Sequence, residues 1–132
     1  MPGSFDHATI VASDLVRSAA FYDAALGALD IGRVAEFGDQ EDEDAPVDAV
    51  AWGTADHAVL WVVKGEAPTQ HAHLRLRAET RAQVEQFHRA ASEVGGSSRS
   101  IPRRWAIYRD GEFSAIVADP DGNSVEAVSA ES

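Results

Sequence analysis

Cysteine is absent from this 132-residue chain, which excludes disulfides, thiolate metal sites and cysteine nucleophiles and suits a reducing compartment. Long apolar runs are absent as well. The longest, Ala58 to Val63, has six residues, whereas a membrane-spanning helix needs about 20. Basic charge is scarce: 11 Lys and Arg stand against 22 Asp and Glu, a net charge of −11. A nucleic-acid binder meets phosphates with a basic face, so this balance argues against that role and against an anionic membrane surface. The opening Met-Pro-Gly-Ser-Phe-Asp-His has neither the basic start nor the apolar stretch of a secretory signal. The expectation is a cytoplasmic protein. No glycine-rich phosphate loop is present, and neither Ser13 nor Ser114 sits in the glycine-flanked elbow of a serine hydrolase.

What remains is an ordinary globular composition, 45% hydrophobic and 25% charged, at a length that suits one domain over residues 1–132. The charge is uneven. Residues 1–66 carry 13 acidic and 3 basic side chains, while residues 67–132 carry 9 and 8. Much of the acidic excess lies in Glu36, Asp39, Glu41, Asp42, Glu43, Asp44 and Asp48. That run reads as a solvated loop, or as a field that attracts a cationic ligand. It lacks the central glycine and closing glutamate of a calcium-binding EF-hand loop.

An internal repeat organises the chain. A shift of 66 places His7 on His73, Phe21 on Phe87, Ala24 on Ala90 and Ala25 on Ala91. A shift of 65 places Trp61 on Glu126. Each half reads as strand, helix and three strands, with a first module at about 4–64 and a second at about 71–130. In the first, a strand at 5–12 leads to Ser13 or Asp14, either of which can cap a helix. Leu15, Ala19, Tyr22 and Leu26 form its apolar stripe. Strands follow near 31–37, 48–53 and 58–63. In the second, strand 71–78 leads to Thr80-Arg81-Ala82-Gln83, which has capping-box form. Val84, Phe87, Ala91 and Val94 form the next stripe, and Gly95-Gly96 stops it. A strand lies within 98–109. Strands 113–118 and 124–128 are joined by the turn Asp119-Pro120-Asp121-Gly122.

Side chains alternate faces along a strand. His73 therefore shares a face with Arg75 and Arg77, opposite Leu74 and Leu76. His7 shares one with Thr9 and Val11, opposite Ala8 and Ile10. Glu126 lies opposite Val125 and Ala127. All three potential ligands fall on faces turned away from the helices. Two imidazoles and a carboxylate are donors that iron(II), manganese, nickel and zinc accept. His71 shares the His73 face and is its only register alternative. His57 reads as a turn residue and His88 as lying on the polar side of a helix, both solvated.

The segments Phe5-Asp6-His7-Ala8-Thr9-Ile10, Asp14-Leu15, Ala20 to Gly27, His73-Leu74-Arg75-Leu76 and Asp119 to Glu126, in this order and spacing, resemble the vicinal oxygen chelate superfamily. Its members include glyoxalase I, extradiol dioxygenases and bleomycin-resistance proteins. The resemblance implies an α+β fold of two βαβββ modules, their sheets curled into a cup with helices outside. It implies one divalent metal held by His7, His73 and Glu126, with Glu126 also acting in catalysis. Glyoxalase I takes a fourth ligand at the position of Trp61. Tryptophan neither binds a metal nor accepts a proton, so the resemblance does not extend to that isomerisation. Tyr108 is the candidate for the tyrosine that dioxygenases place near their metal, with Arg109 beside it.

The functional expectation is a small metal-dependent enzyme that chelates neighbouring oxygens of a small-molecule substrate. Trp52, Trp61, Trp105 and Tyr108 are candidates for an aromatic pocket wall, and Arg75, Arg77, Arg103, Arg104 or Arg109 for a clamp on a carboxylate or phosphate. The alternatives are an iron(II) extradiol-type dioxygenase and a non-catalytic drug-binding protein of bleomycin-resistance type. A homodimer is expected, with the site within one chain or shared between two.

Overall fold

A computed structural model describes residues 3–38, 47–55, 57–105 and 111–130. The first half runs β1 (Ala8–Ala12), α1 (Leu15–Gly27), β2 (Gly32–Gly38), β3 (Val47–Thr54) and β4 (His57–Lys64). The second runs β5 (His73–Arg77), α2 (Arg81–Glu93), β6 (Ser97–Arg104), β7 (Phe113–Ala118) and β8 (Ser124–Ser129). Each half forms its own four-stranded mixed sheet, ordered β1-β4-β3-β2 and β5-β8-β7-β6. The outer strands pair in parallel and in equivalent register: Thr9 lies opposite Trp61, and Arg75 opposite Glu126. The architecture is α+β, as expected. Among the described residues the two sheets stay separate and unclosed.

Local chemistry sets the element ends. Asp14 caps α1 by accepting from the Arg17 N–H at 3.1 Å. Thr80 caps α2 through the Gln83 N–H at 3.1 Å, and the Gln83 side chain accepts in return from the Glu79 N–H at 2.7 Å. β5 begins two residues later than expected because His71 adopts a left-handed φ of 65°, which no extended strand tolerates. β1 likewise begins at Ala8, leaving His7 just outside it. β6 ends at Arg104, and its pairing with β7 slips on both sides of Ser100; Pro102, within the second slip, has no N–H to donate. Val94 does not complete the second apolar stripe. It is the exposed C-cap of α2, where the chain turns off into the two glycines. No helix among the described residues is long and apolar enough to cross a membrane.

The inward-facing residues meet in one core. Ile10, Val50, Leu60 and Val62 of the first sheet join Ala115, Val117, Val125 and Ala127 of the second, with Tyr22 and Leu26 of α1 and Val84 and Phe87 of α2. Gly96 sits at the closest approach, where an added Cβ would lie 2.7 Å from the Phe21 ring and 2.6 Å from Val117. Each sheet's second face is therefore turned away from this shared core.

A buried polar knot ties the halves together. The Tyr22 hydroxyl of α1 donates to Asp119 at 2.7 Å, and the Asn123 side-chain amide donates to the same carboxylate oxygen at 3.0 Å. The other Asp119 oxygen accepts from the Asp121 and Asn123 N–H groups, each at 2.9 Å. Asn123 also donates to the Thr69 carbonyl and accepts from the Ala72 N–H, while Thr69 accepts from the Val11 N–H. Gly122 allows the turn by taking φ +96°. Burial, with the Asp119 carboxylate beside it, pushes the Tyr22 hydroxyl far above the ordinary phenol range, so it remains a donor.

Tyr22→Phe removes that donor from a buried carboxylate and is expected to destabilise the fold by about 1–3 kcal/mol. Ser13→Ala removes only an exposed bond to Asp121 and is expected to cost under about 1 kcal/mol. Urea denaturation midpoints check the pair; a Tyr22→Phe midpoint at or above that of Ser13→Ala contradicts the assignment.

Candidate functional site

The open face of the second sheet concentrates the reactive side chains. Along β5, Leu74 and Leu76 pack against the core, which turns His73, Arg75 and Arg77 to the other side. On β8, Val125 and Ala127 take the core face and Glu126 the open one. His73 Nε2 and Glu126 Oε1 lie 2.8 Å apart. Arg75 Nε lies 3.6 Å from the same oxygen, and Arg75 Nη2 donates to Glu112 at 2.5 Å. Glu126 is 0% exposed, whereas the His73 side chain is 46% exposed. A carboxylate this deeply buried depends on the donors packed against it, here the His73 imidazole and the Arg75 guanidinium. One row further, Ser114 lies opposite Val128. Trp105 Nε1 donates to Ser114 Oγ at 2.7 Å, and the Arg103 guanidinium lies 3.8 Å over the Trp105 ring.

His7 is elsewhere. Its Nδ1 lies 2.7 Å from an Asp6 carboxylate oxygen, and this hydrogen bond holds the Asp6 carboxyl below its ordinary range. His57 is not a free turn residue: it opens β4 and donates to the Asp6 carbonyl at 2.9 Å. Asp6 and His57, with Phe5, Leu26 and Leu60, line a cavity of about 470 Å³ whose opposite wall is the segment from His73 to Leu76. Histidine 88, expected to be solvated, meets Ser98 Oγ at 2.7 Å, and burial lowers its pKa. Among the described residues, no group of three or more His, Asp or Glu side chains is placed to hold a metal ion.

The candidate pocket residues divide. Trp61 turns to the open face of the first sheet and stacks on Phe37, with ring centroids 5.5 Å apart and planes at 28°. Trp52 does not line a pocket. It pairs in register with Leu60, shares its core-facing side and is 0% exposed. Its Nε1 donates to Asp23 at 2.9 Å. The observed register sets that direction: Trp61 pairs with Ala51 and Trp52 with Leu60, so the two rings point opposite ways. Trp105 and Arg75 are on the Glu126 face. Glu112, which anchors Arg75, carried no signal in the sequence, because the contact joins residues 37 positions apart. Tyr108 and Arg109, with Asp39 to Asp44 of the acidic run, lie outside the described residues.

A family model described as the Glyoxalase/Bleomycin resistance protein/Dioxygenase superfamily matches residues 4–127. No curated protein matches the chain in sequence. A glyoxalase/bleomycin resistance protein from Albidiferax ferrireducens is 26% identical, with a TM-score of 0.75 over 95% of this chain and 98% of that one. Lactoylglutathione lyase from Agrobacterium tumefaciens is 20% identical, with a TM-score of 0.66 over 97% and 94%. TioX from a Micromonospora species is 10% identical, with a TM-score of 0.68 over 96% and 98%. At these identities the last two likenesses speak for the fold alone.

Proposed function

The chain belongs to the glyoxalase/bleomycin resistance protein/dioxygenase superfamily, and from this premise we propose that it is a small metal-dependent enzyme whose site is completed by a second copy of itself. His73 and Glu126 would hold one divalent ion together with His7 of the second copy. The observation that carries the reading is the His73–Glu126 pair, 2.8 Å apart with the carboxylate wholly buried. An imidazole nitrogen and a carboxylate oxygen suit such an ion chemically, but a retained ion takes about three protein ligands. The described residues of one chain bring two together, so this donor set fits a metal with a third ligand from a second copy. The shared core supplies the reason. Both sheets turn one face to it, and no group of three donors forms among the described residues of one chain, whereas a second copy could lay its first sheet against the second sheet of its partner. Two-fold symmetry would then form two equal sites.

A divalent ion bound there supplies Lewis-acid polarisation of two neighbouring substrate oxygens. Arg75, held by Glu112, lies against the same Glu126 oxygen as His73 and orients that carboxylate. Trp61 and Phe37 present an apolar wall without a proton acceptor. The same donor types suit iron(II) extradiol-type cleavage, which oxygen uptake with catechols tests. The Phe37–Trp61 stack favours a second reading, a non-catalytic binder of planar molecules, and such binding would persist under chelation.

About one divalent ion per chain is expected, and Glu126→Ala is expected to lose most of it; equal metal in both proteins by elemental analysis defeats the assignment. Light scattering is expected to give a dimer mass. Mixing His7→Ala with Glu126→Ala chains should restore metal binding, because a mixed dimer regains one complete site. A mixture that stays metal-poor refutes sharing between chains.

Little turnover of the methylglyoxal–glutathione hemithioacetal is expected with either nickel or zinc. Trp61, the repeat mate of Glu126, provides no carboxylate to move the proton. Robust isomerisation would show that another group serves as the base.

A further inference from the structure

The open face of the second sheet is cationic in a chain whose net charge is −11. Among the described residues four guanidinium groups reach it, those of Arg75, Arg77, Arg99 and Arg103, against the two carboxylates of Glu112 and Glu126. Arg75 is compensated by both carboxylates, at 2.5 and 3.6 Å. Arg99 donates only to neutral oxygens, Ser124 Oγ at 2.6 Å and the Gly122 carbonyl at 3.0 Å. Arg103 lies over the Trp105 ring. Arg77 is exposed and has no hydrogen-bond or ion-pair partner among the described residues.

The strand register places these groups in one row. Arg77 lies opposite Val128, Val128 opposite Ser114, and Ser114 opposite Arg103. Val128 and Ser114 are buried and form a floor, with Arg77 at one end and the Arg103–Trp105 pair at the other. Neighbouring strands lie about 4.8 Å apart, so the outer backbones of this row are about 14 Å apart, a width that a one-ring molecule suits. Glu126 lies in the adjoining row of this face, and His73 one row beyond it. The acidic excess does not reverse the local field. Most of it belongs to the first half of the chain, and salt screens charges beyond about 8 Å at physiological ionic strength.

We propose that the substrate taken by this face is an anion, a small carboxylate or phosphoryl compound whose charged group is received by Arg77. Guanidinium matches both groups with two parallel donors. The inference rests on the reading of this face as the reaction site, and it replaces the cationic ligand that net charge alone suggests.

Benzoate, phenylphosphonate, neutral benzamide and cationic benzamidine form a matched probe set. Each is titrated by saturation-transfer NMR into the full chain at one ionic strength, with and without a chelator, and metal content is measured in the same samples. Benzoate or phenylphosphonate is expected to bind at least tenfold more tightly than benzamide or benzamidine. Arg77→Gln is expected to remove that preference. Arg89→Gln, which deletes the same charge from the exposed surface of α2, is expected to bind as the unaltered chain does. Circular dichroism confirms that both variants are folded. Benzamidine binding as tightly as benzoate, equal loss in the two variants, or no anion binding at all overturns the proposal. So does anion binding that vanishes with chelation and is indifferent to Arg77→Gln, because the anion then belongs to the metal. Anion preference dependent on Arg77 in metal-free protein upholds the inference even where the metal reading fails. Normal metal content without anion preference overturns this inference alone.

Discussion

The Asp119 carboxylate holds the two halves of this chain in one arrangement. It is buried and accepts from Tyr22 on α1, from the side chain of Asn123 and from two backbone N–H groups of its own turn. Each donor belongs to a segment that must be placed correctly before the others can bond. A carboxylate in this setting costs several kcal/mol unless every lone pair is met, so the knot tolerates few alternative packings. Through Asn123 and Thr69 the same network reaches β1 and the residue before β5. These are the parallel outer strands of the two sheets, and they border the His7 and His73 positions. The clasp thus sets where the two sequence-equivalent histidines lie relative to one another.

That arrangement has a chemical consequence. Both apolar sheet faces and both helices share one core, and the open faces are directed away from it. His73 and Glu126 meet because β5 and β8 are neighbours within one sheet. His7 precedes the first strand of the other sheet and bonds to Asp6. A repeat that duplicates a ligand-bearing strand does not by itself bring the duplicates together; their meeting depends on how the modules pack. The incomplete donor set among the described residues makes assembly of two copies a chemical question here as well as a structural one.

Charge offers a parallel lesson. The chain as a whole is acidic, yet the face around Glu126 carries four guanidinium groups and two carboxylates. Net charge governs solubility and long-range encounter, whereas recognition is decided within a few ångströms. Glu112 shows the difference. It uses one carboxylate to hold Arg75 against Glu126, while Arg77, two residues further along the same strand face, has no partner among the described residues.

The element order, the helix caps at Asp14 and Thr80, the Asp119–Gly122 turn and the direction of His73 and Glu126 were all legible in the sequence. Each follows from local rules: alternation along a strand, periodicity along a helix, and the backbone preferences of short polar residues, proline and glycine. The repeat also predicted the equivalence of Trp61 and Glu126, because parallel registers in the two modules match. Legibility ended where distant segments meet. The burial of Trp52, the irregular backbone at His71, the Glu112–Arg75 contact and the bonds that join His57 and His7 to Asp6 came only with the tertiary structure. These depend on which face each sheet commits to the common core and on contacts between residues tens of positions apart, and no local pattern encodes that choice.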